Sequence, residues 1–350
     1  MTLTRNGGIV VKRALVINCS APHYNLGARK LSDWLASQDY AVSSTDGDPG
    51  IWGLDADLVC LSVIFSWHAP IAREIALRMK DQAEVWSGGP GLFALARWWR
   101  QETGLEIVRG LDPRFDKQRS QYKMCFASRG CPVNCSFCIV PRLEGLSFSY
   151  DPDFIPAPML CDNNLSALPV DYQEHIIRRY QETGTRLLDA NSGFEPRYFD
   201  EGTYQRWKPV LRGPWRFALD EMRELEDVQR LMAILKDEPA RRKRVYCLVG
   251  NEPIAACYER ACKIIEWGGE PFCQFVLPLN WLGDPAQVKL RYDWCSYQQG
   301  RDFCRYFNTY GWRSYPIWDY APRKYEPQPF AMLKQKTDVR NTLHTRLLAP

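Results

Sequence analysis

The sequence predicts an α/β protein whose parallel sheets lie in two successive parts. Between residues 14 and 110, short apolar runs alternate with amphipathic stretches, and the same alternation resumes six times between residues 123 and 280. Continuous apolar strands separated by helices are typical of parallel sheets that are covered on both faces. We therefore expect a Rossmann-like open parallel sheet, followed by a partial (β/α)6 barrel and an aromatic-rich C-terminal cap.

The composition limits the class of protein. The chain has 350 residues, enough for two domains, with 45% hydrophobic and 25% charged residues, which is typical of a globular protein. Its 13 cysteines are scattered along the chain, and no signal-peptide pattern opens the sequence. No apolar run approaches the roughly 18 residues that a membrane span needs. These features predict a cytoplasmic protein in a reducing compartment.

The first expected domain covers residues 1–110. Its strands are expected around 14–17, 58–63 and 85–91. The apolar residues at helical spacing between these strands are Leu31, Trp34, Leu35, Ile71, Ile75 and Met79. Strands and helices that alternate in this way predict an open α/β sheet.

A polar stretch at 111–122 contains a proline and no periodicity, and it predicts a linker. The barrel is expected over 123–280. Its six expected strands lie at 123–128, 158–162, 185–190, 214–219, 244–250 and 271–277. In parallel β/α barrels the reactive groups gather at the carboxyl ends of the strands, so residues that directly follow these strands are the candidate site residues.

The C-terminal part, 281–350, is rich in aromatic residues. Arg301, Arg305 and Arg313 lie among these residues, a mixture that suits either a base-stacking surface or a buried cap. We favour the cap. The formal net charge of +4 arises in the tail at 321–350. This basic tail suits either contact with an anionic partner such as nucleic acid, or a terminus that is simply solvated.

Three cysteines stand close together after the first expected barrel strand. Cys131, Cys135 and Cys138 form the pattern C-x3-C-x2-C. Three thiolates on one loop can hold three irons of a [4Fe–4S] cluster and leave the fourth iron open. A zinc site usually needs four ligands arranged as two pairs, and no fourth Cys or His lies near in the sequence.

This spacing, with the aromatic Phe137 directly before the third cysteine, resembles the signature of the radical S-adenosylmethionine (radical SAM) superfamily. The resemblance implies that SAM binds the open iron and that one electron splits its sulfonium to give a 5′-deoxyadenosyl radical. It also implies a partial barrel, an electron donor such as flavodoxin or ferredoxin, and contact of Phe137 with the adenine.

The N-terminal part is similar to the cobalamin-binding domain that precedes many radical SAM barrels. The usual Asp-x-His-x-x-Gly motif is absent, because Tyr24-Asn25-Leu26-Gly27 follow His23 and Ala69-Pro70 follow His68. Two alternatives remain: cobalamin binds without a protein ligand to cobalt, or the domain is degenerate and only packs.

Further candidates follow the next strands of the expected barrel. The run Asp162-Asn163-Asn164 resembles the place where relatives bind the SAM ammonium group, although it also suits an Asx turn. Asn191 and Glu195 lie in a run similar to one that reaches ribose or substrate in relatives. Cofactor contacts are therefore expected from Asp162, Asn163, Asn164 and Asn191.

The fourth expected strand adds two charged candidates. Arg216 lies within the strand, where a buried arginine needs an anion, so we expect it to pair with the SAM carboxylate or a substrate acid. Asp220 directly follows the strand. The catalytic candidates are therefore Glu195, Arg216 and Asp220.

Four cysteines fall inside expected strands, namely Cys125, Cys161, Cys247 and Cys273. Free cysteines in strands are most often small core residues, although one of them could donate a hydrogen atom to a substrate radical. Because of Cys295 and Cys304, an auxiliary iron–sulfur cluster is a further alternative.

Three functions remain open at this point. The first is a radical SAM enzyme that modifies an unknown substrate, with methylation as one form of that modification. The second is an iron–sulfur electron carrier or sensor without SAM. The third is a nucleic-acid-binding protein with a structural cluster. The substrate itself depends on pocket loops that one sequence does not define.

Overall fold

A computed structural model describes residues 2–3, 9–50, 55–108, 112, 114–117, 119–322 and 328–336. Contacts between residues divide the chain into two compact units. The first comprises Met1–Tyr122, Gly130–Ser149 and Pro278–Gln287, and the second comprises Lys123–Arg129, Tyr150–Leu277 and Val288–Pro350. The cysteine loop and the short segment at 278–287 therefore group with the N-terminal residues, whereas the sequence pattern assigned both to the barrel and its cap.

The first unit contains one main parallel sheet. The strands of this unit up to residue 88 are β1 (Thr2–Leu3), β2 (Ile9–Val10), β3 (Arg13–Asn18), β4 (Ala41–Asp46), β5 (Leu58–Ser62) and β6 (Glu84–Gly88). The first four helices of the unit are α1 (Leu26–Ser37), α2 (Ala69–Met79), α3 (Pro90–Phe93) and α4 (Ala96–Thr103). The order β4-β3-β5-β6, with every neighbouring pair parallel, is the beginning of the doubly wound 2-1-3-4-5 order. β1 and β2 form a separate antiparallel pair.

Both faces of this sheet are covered, as the apolar strands predicted. Ile17 and Val59 contribute to a core on the side of α2 and α4, while Val16 and Leu35 lie in the core on the side of α1. The prediction that Ile71 lies in the core is wrong, because its side chain is 42% exposed. The buried stripe of α2 is Ala72, Ile75, Ala76 and Met79, which places Ile71 outside the face that meets the sheet.

The remaining elements follow from Met124 onward. The strands are β7 (Met124–Cys125), β8 (Ser128–Arg129), β9 (Ser149–Tyr150), β10 (Met159–Leu160), β11 (Asp189–Ala190), β12 (Trp215–Ala218), β13 (Lys243–Val249) and β14 (Glu270–Phe275). The helices are α5 (Val140–Leu143), α6 (Val170–Thr183), α7 (Glu201–Trp207), α8 (Leu225–Ile234), α9 (Ile254–Glu266), α10 (Tyr297–Asn308) and α11 (Leu333–Lys336).

The second unit carries two three-stranded sheets, ordered β7-β10-β11 and β12-β13-β14, and their neighbouring strands are parallel. The prediction of an α/β protein with parallel sheets is therefore confirmed. The six strands do not form one continuous ladder. Among the described residues, β11 and β12 are linked only by an isolated parallel bridge, Leu187↔Leu211, which precedes both strands. Pro214 directly precedes β12 and has no N–H to donate, which limits pairing at this point. The partial barrel stays a prediction.

Half of the described aromatic residues between 288 and 336 are buried, namely Trp294, Phe303, Tyr306, Phe307, Tyr320 and Phe330. Phe303 and Phe307 of α10 are at most 1% exposed, and α10 packs against β14, where Gly300 leaves room for the ring of Phe275. Buried rings cannot stack on bases, which favours packing over a nucleic-acid surface. Of the predicted basic tail, 323–327 and 337–350 lie outside the described residues.

The longest helix among the residues described is α6, with 14 residues. A membrane-spanning helix needs about 20 apolar residues. In the described part of the chain, no helix combines the length and the apolar character needed to cross a bilayer.

Candidate cluster loop and strand-end residues

The cysteine loop lies in the first unit, between β8 and α5. All three cysteines are half-buried. The Cys138 N–H donates to the Cys135 carbonyl over 3.1 Å, which turns the chain between these two residues. The Val140 N–H lies 3.4 Å from Cys138 Sγ and donates to it. A backbone donor of this kind favours the thiolate, the form that binds metals.

Two glycines allow the loop to close on itself. Gly130 has φ +87°, and a Cβ at this position would lie 2.2 Å from the Ser147 carbonyl oxygen. Its N–H donates to the Glu144 carboxylate over 3.0 Å, and the Cys131 N–H donates to the Gly145 carbonyl. The loop therefore starts and ends at one point, which brings Cys131 close to the end of α5.

The donor set fits an iron–sulfur cluster in number and type. Three thiols come from one short loop, and three is the number that leaves one iron open. Among the described residues, no three His, Cys, Asp or Glu side chains are placed to hold a single metal ion. Phe137 is half-buried on the same loop.

Asp162 lies in the second unit, after β10, and is fully buried. Its carboxylate accepts hydrogen bonds from the Ala127 N–H over 2.7 Å and from the Ser128 hydroxyl over 2.5 Å. Burial raises the pKa of Asp162 to about 6, and these two hydrogen bonds oppose the rise. Asp162 therefore fixes the chain that leaves β7, and contact with a ligand would require this packing to open.

The neighbouring asparagines differ in exposure. Asn164 is buried, and its side-chain oxygen accepts from the Ala167 N–H, three residues on, over 3.1 Å. An Asx turn bonds the N–H two residues on, so this bond is of a different kind. Asn163 is half-buried. Asn191 follows β11 and is exposed. Contact of these three residues with SAM stays a prediction, and Asn191 is the most accessible of them.

The run after β11 packs tightly against β12. Gly193 has φ +79°, and a Cβ there would lie 2.3 Å from the Arg216 carbonyl oxygen. The Phe194 N–H donates to that same oxygen over 2.9 Å. Beyond this contact, the Glu195 carboxylate lies 2.6 Å from Arg197 Nε. Gly193 thus allows the close approach that sets Glu195 beside the end of β12.

Glu195 lies near enough to Asp220 for its charge to act on the Asp220 carboxyl group. Asp220 accepts a hydrogen bond from the Leu248 N–H over 3.0 Å, and its own N–H donates to Glu224 over 2.7 Å. Burial, reinforced by the charges of Glu224 and Glu195, raises the pKa of Asp220 to about 7. A carboxyl group with this pKa can take or give a proton near neutral pH.

Glu224 itself is a residue that the sequence reasoning missed. Burial raises its pKa, and its carboxylate accepts from the N–H groups of Asp220 and Glu221. Glu221 and Glu224 form a capping box before α8. The spacing of two acidic residues three apart, just before an apolar run, was the available signal.

Arg216 is not part of this acidic group. Its guanidinium pairs with Asp189 of β11, and a third nitrogen donates to the Tyr246 hydroxyl. The expectation that Arg216 needs an anion is met by a residue of the chain, Asp189, which the sequence reasoning did not select. Binding of a SAM or substrate carboxylate by Arg216 stays a prediction.

A second buried arginine, Arg260 of α9, was also missed. It is 0% exposed, and it donates to the carbonyls of Leu219 over 2.6 Å and Leu248 over 2.7 Å. Its Nε lies 3.0 Å from the Glu252 carboxylate. Arg260 therefore ties together the ends of β12 and β13, beside Asp220.

All four strand cysteines are buried. Cys247 and Cys273 are register partners on β13 and β14. A hydrogen bond from Cys273 lowers the pKa of Cys247, and Arg260, whose Nη1 lies 3.3 Å from the sulfur, acts in the same direction. Cys247 therefore faces the helix α9. Hydrogen-atom donation by any of the four stays a prediction.

Comparison with known proteins gives one partial match. No family model matches the chain. A stretch of 178 residues is 25% identical to the bacteriochlorophyllide d C-12(1)-methyltransferase of Chlorobaculum tepidum. The match covers 50% of this chain and 35% of that protein, so the chain spans about a third of the length of the curated relative it matches. The chain is thus similar to a methyltransferase over half of its length.

Proposed function

We propose that the protein is a radical SAM enzyme that cleaves SAM reductively and modifies an unreactive carbon of its substrate. The observation that carries this proposal is the C-x3-C-x2-C loop, in which three half-buried thiols share one closed turn and a backbone N–H donates to Cys138. Cys131, Cys135 and Cys138 would hold three irons of a [4Fe–4S] cluster. When bound and reduced, such a cluster supplies the electron that splits the SAM sulfonium into methionine and a 5′-deoxyadenosyl radical.

The chain's own residues have two tasks in this proposal. The Val140 N–H favours the thiolate of Cys138, and the loop holds the three cysteines on one turn. At the strand ends of the second unit, the raised pKa of Asp220 allows it to hold or release a proton at its carboxyl oxygen near neutral pH. Asn191 offers an exposed amide for ribose or the SAM ammonium group. Reduced flavodoxin or ferredoxin would be the electron donor.

Methyl transfer is the second candidate outcome, and the partial similarity to a methyltransferase favours it. In that case a SAM molecule gives its methyl group to the substrate and leaves as S-adenosylhomocysteine. The substrate of the relative is a property of that protein, and the match does not transfer it to this chain, because only 35% of the relative is covered.

The test is anaerobic reconstitution with iron, sulfide, a reductant and SAM. We expect about four irons per chain and formation of 5′-deoxyadenosine. Cys131→Ala, Cys135→Ala and Cys138→Ala should each lose most of the iron and all of the deoxyadenosine. Cys295→Ala is the matched control, because Cys295 is exposed and lies in the second unit.

The other outcomes of this experiment would indicate a different function or a different cluster site. Iron without deoxyadenosine would indicate an electron carrier or sensor. Equal iron content in wild type and in the three loop variants would rule out the loop as the cluster site. S-adenosylhomocysteine together with deoxyadenosine would indicate methylation.

Asn191→Ala tests the predicted cofactor contact separately. Since Asn191 is exposed and outside the loop, the variant should keep its iron while its KM for SAM rises several-fold. An unchanged KM would remove Asn191 from the cofactor site.

A further inference from the structure

The main sheet of the first unit has the strand order that, in open α/β folds, places a ligand crevice at the carboxyl ends of two strands. The strand order β4-β3-β5-β6 means that the chain leaves β3 toward one side of the sheet and leaves β5 toward the other. Ligands of such folds bind outside the carboxyl ends of the two strands at which the direction changes. Here the segments 18–25 and 62–68 border that crevice.

The polar groups that border the crevice are hydrogen-bonded to one another. Asn18 donates to Asp46 over 2.8 Å, and Asn25 donates to Asn18 over 3.0 Å. The Ser62 hydroxyl donates to Asn25, and Asn25 also caps α1 by accepting from the Ala28 N–H. A ligand that entered between β3 and β5 would have to break this network, whose members already satisfy each other.

A distant segment of the same unit packs onto the loop after β5. The Ser66 hydroxyl donates to the Trp281 carbonyl over 2.6 Å. The ring of Trp281 lies 5.6 Å from that of Trp67, which in turn stacks on Phe65 at 4.6 Å. Trp281 is only 8% exposed, and Leu282 beside it packs against the core of the unit. The segment Pro278–Gln287 thus covers this edge with apolar side chains.

The two histidines that border the crevice, His23 and His68, both pack against the ring of Phe65. His68 Nδ1 is buried and has no hydrogen-bond partner among the described residues. The His68 ring lies 5.9 Å from that of Phe65 and 5.8 Å from that of Trp67, and burial lowers its pKa. His23 is exposed, with its ring edge-on to Phe65 at 4.9 Å.

We infer that the ligand crevice of the N-terminal unit is closed by the chain's own Pro278–Gln287 segment and that this unit binds no cobalamin. A corrin ring is broad and flat, and it would have to displace Trp281 and Trp67 from each other. The unit then serves to anchor Pro278–Gln287, and any methyl transfer by the protein proceeds without a corrin held at this edge.

The first test of this inference uses the purified full-length chain without iron, so its result does not depend on the proposed function. The chain is incubated with hydroxocobalamin, passed through a gel-filtration column and measured for corrin absorbance. We expect no stoichiometric retention. Retention of about one corrin per chain would overturn the inference.

The second test measures closure of the crevice by backbone hydrogen exchange. Ser66→Ala removes only the bond to the Trp281 carbonyl, and Trp281→Ala removes the covering ring. In both variants, the peptides over 62–68 and 278–287 should exchange several-fold faster than in wild type. Trp98→Ala is the control, since Trp98 of α4 packs elsewhere on the same core and should leave both peptides unchanged. Exchange that is unaffected by both crevice variants would overturn the claim that the segment closes the edge.

Discussion

Arg216 and Asp189 form a two-point ion pair across neighbouring strands. Nε and Nη2 of the arginine donate to Oδ1 and Oδ2 of the aspartate, each over 2.6 Å. The two side chains are only 13% and 17% exposed. Arg216 is the second residue of β12 and Asp189 is the first of β11.

Loss of one member of this pair should destabilise the fold strongly. Arg216→Ala leaves a mostly buried carboxylate without its partner, and we expect the free energy of unfolding to fall by about 3 kcal/mol. Asp189→Ala together with Arg216→Ala should cost clearly less than the sum of the single variants. Urea denaturation of the four proteins measures this coupling. Lys263→Ala, which breaks an exposed ion pair with Glu266, is the control and should change stability by less than about 1 kcal/mol. Additive effects at Asp189 and Arg216 would contradict the pairing.

Gly193→Ala should be more damaging than alanine at another left-handed glycine. Its φ is +79°, and the new Cβ would lie 2.3 Å from the Arg216 carbonyl oxygen, so strain and collision add. We expect a loss of about 2–4 kcal/mol. Gly184 at the end of α6 has φ +65° and nothing within 4 Å of its added Cβ, so Gly184→Ala should cost about 1 kcal/mol. Thermal unfolding of both variants checks the order, and equal losses would show that the contact with Arg216 is loose.

Asp220 should make stability depend on pH near neutrality. Its pKa is about 7 in the folded protein against 3.8 for the free side chain, so the folded state binds more protons between these values. Stability through this group is therefore highest at low pH and falls as the pH rises through about 7. Between about pH 5.5 and about pH 8, wild type should lose about 2 kcal/mol more than Asp220→Asn. Urea denaturation at both pH values measures this difference, with the exposed Asp237→Asn as the control. If Asp220→Asn keeps the pH dependence of wild type, Asp220 is ionised at neutral pH.

Gly130→Ala should impair the cysteine loop, whereas Gly145→Ala should do so less. Both glycines have positive φ, +87° and +93°, but a Cβ at Gly130 would lie 2.2 Å from the Ser147 carbonyl oxygen and one at Gly145 meets nothing within 4 Å. Closure of the loop should therefore fail in the first variant, and its iron content after reconstitution should drop at least several-fold. Iron content per chain and thermal stability of the iron-free protein are measured together. Equal iron content in both variants would show that closure at Gly130 does not matter for the cluster.

Much of the fold could be predicted from local patterns. Ile75 and Met79 were expected on one helix face, and both are buried on α2. The run 58–63 was expected as a strand, and β5 covers most of it. Such predictions succeed because an apolar face must be buried wherever the helix or strand packs. The prediction that Ile71 is buried was wrong, because α2 packs on the sheet through a different set of residues, namely Ala72, Ile75, Ala76 and Met79.

The partners of the polar residues could not be predicted in the same way. Arg216 was known to need an anion, but Asp189 is 27 positions away and its role depends on the neighbouring strand. Asp162 was expected to face a ligand, yet it is buried against Ala127 and Ser128, 35 and 34 positions earlier. Local sequence specifies which groups need partners, whereas strand order and register decide which groups meet.

The sequence by itself therefore determined the parallel α/β pattern and the spacing of Cys131, Cys135 and Cys138, because both depend only on the order of nearby residues. The tertiary structure alone decided that Ser66 meets Trp281, 215 positions later, and that the N-terminal crevice is covered. Contacts over such distances in the chain depend on how segments of one folded unit pack, and the free energy of that packing is shared among many residues rather than encoded in one motif.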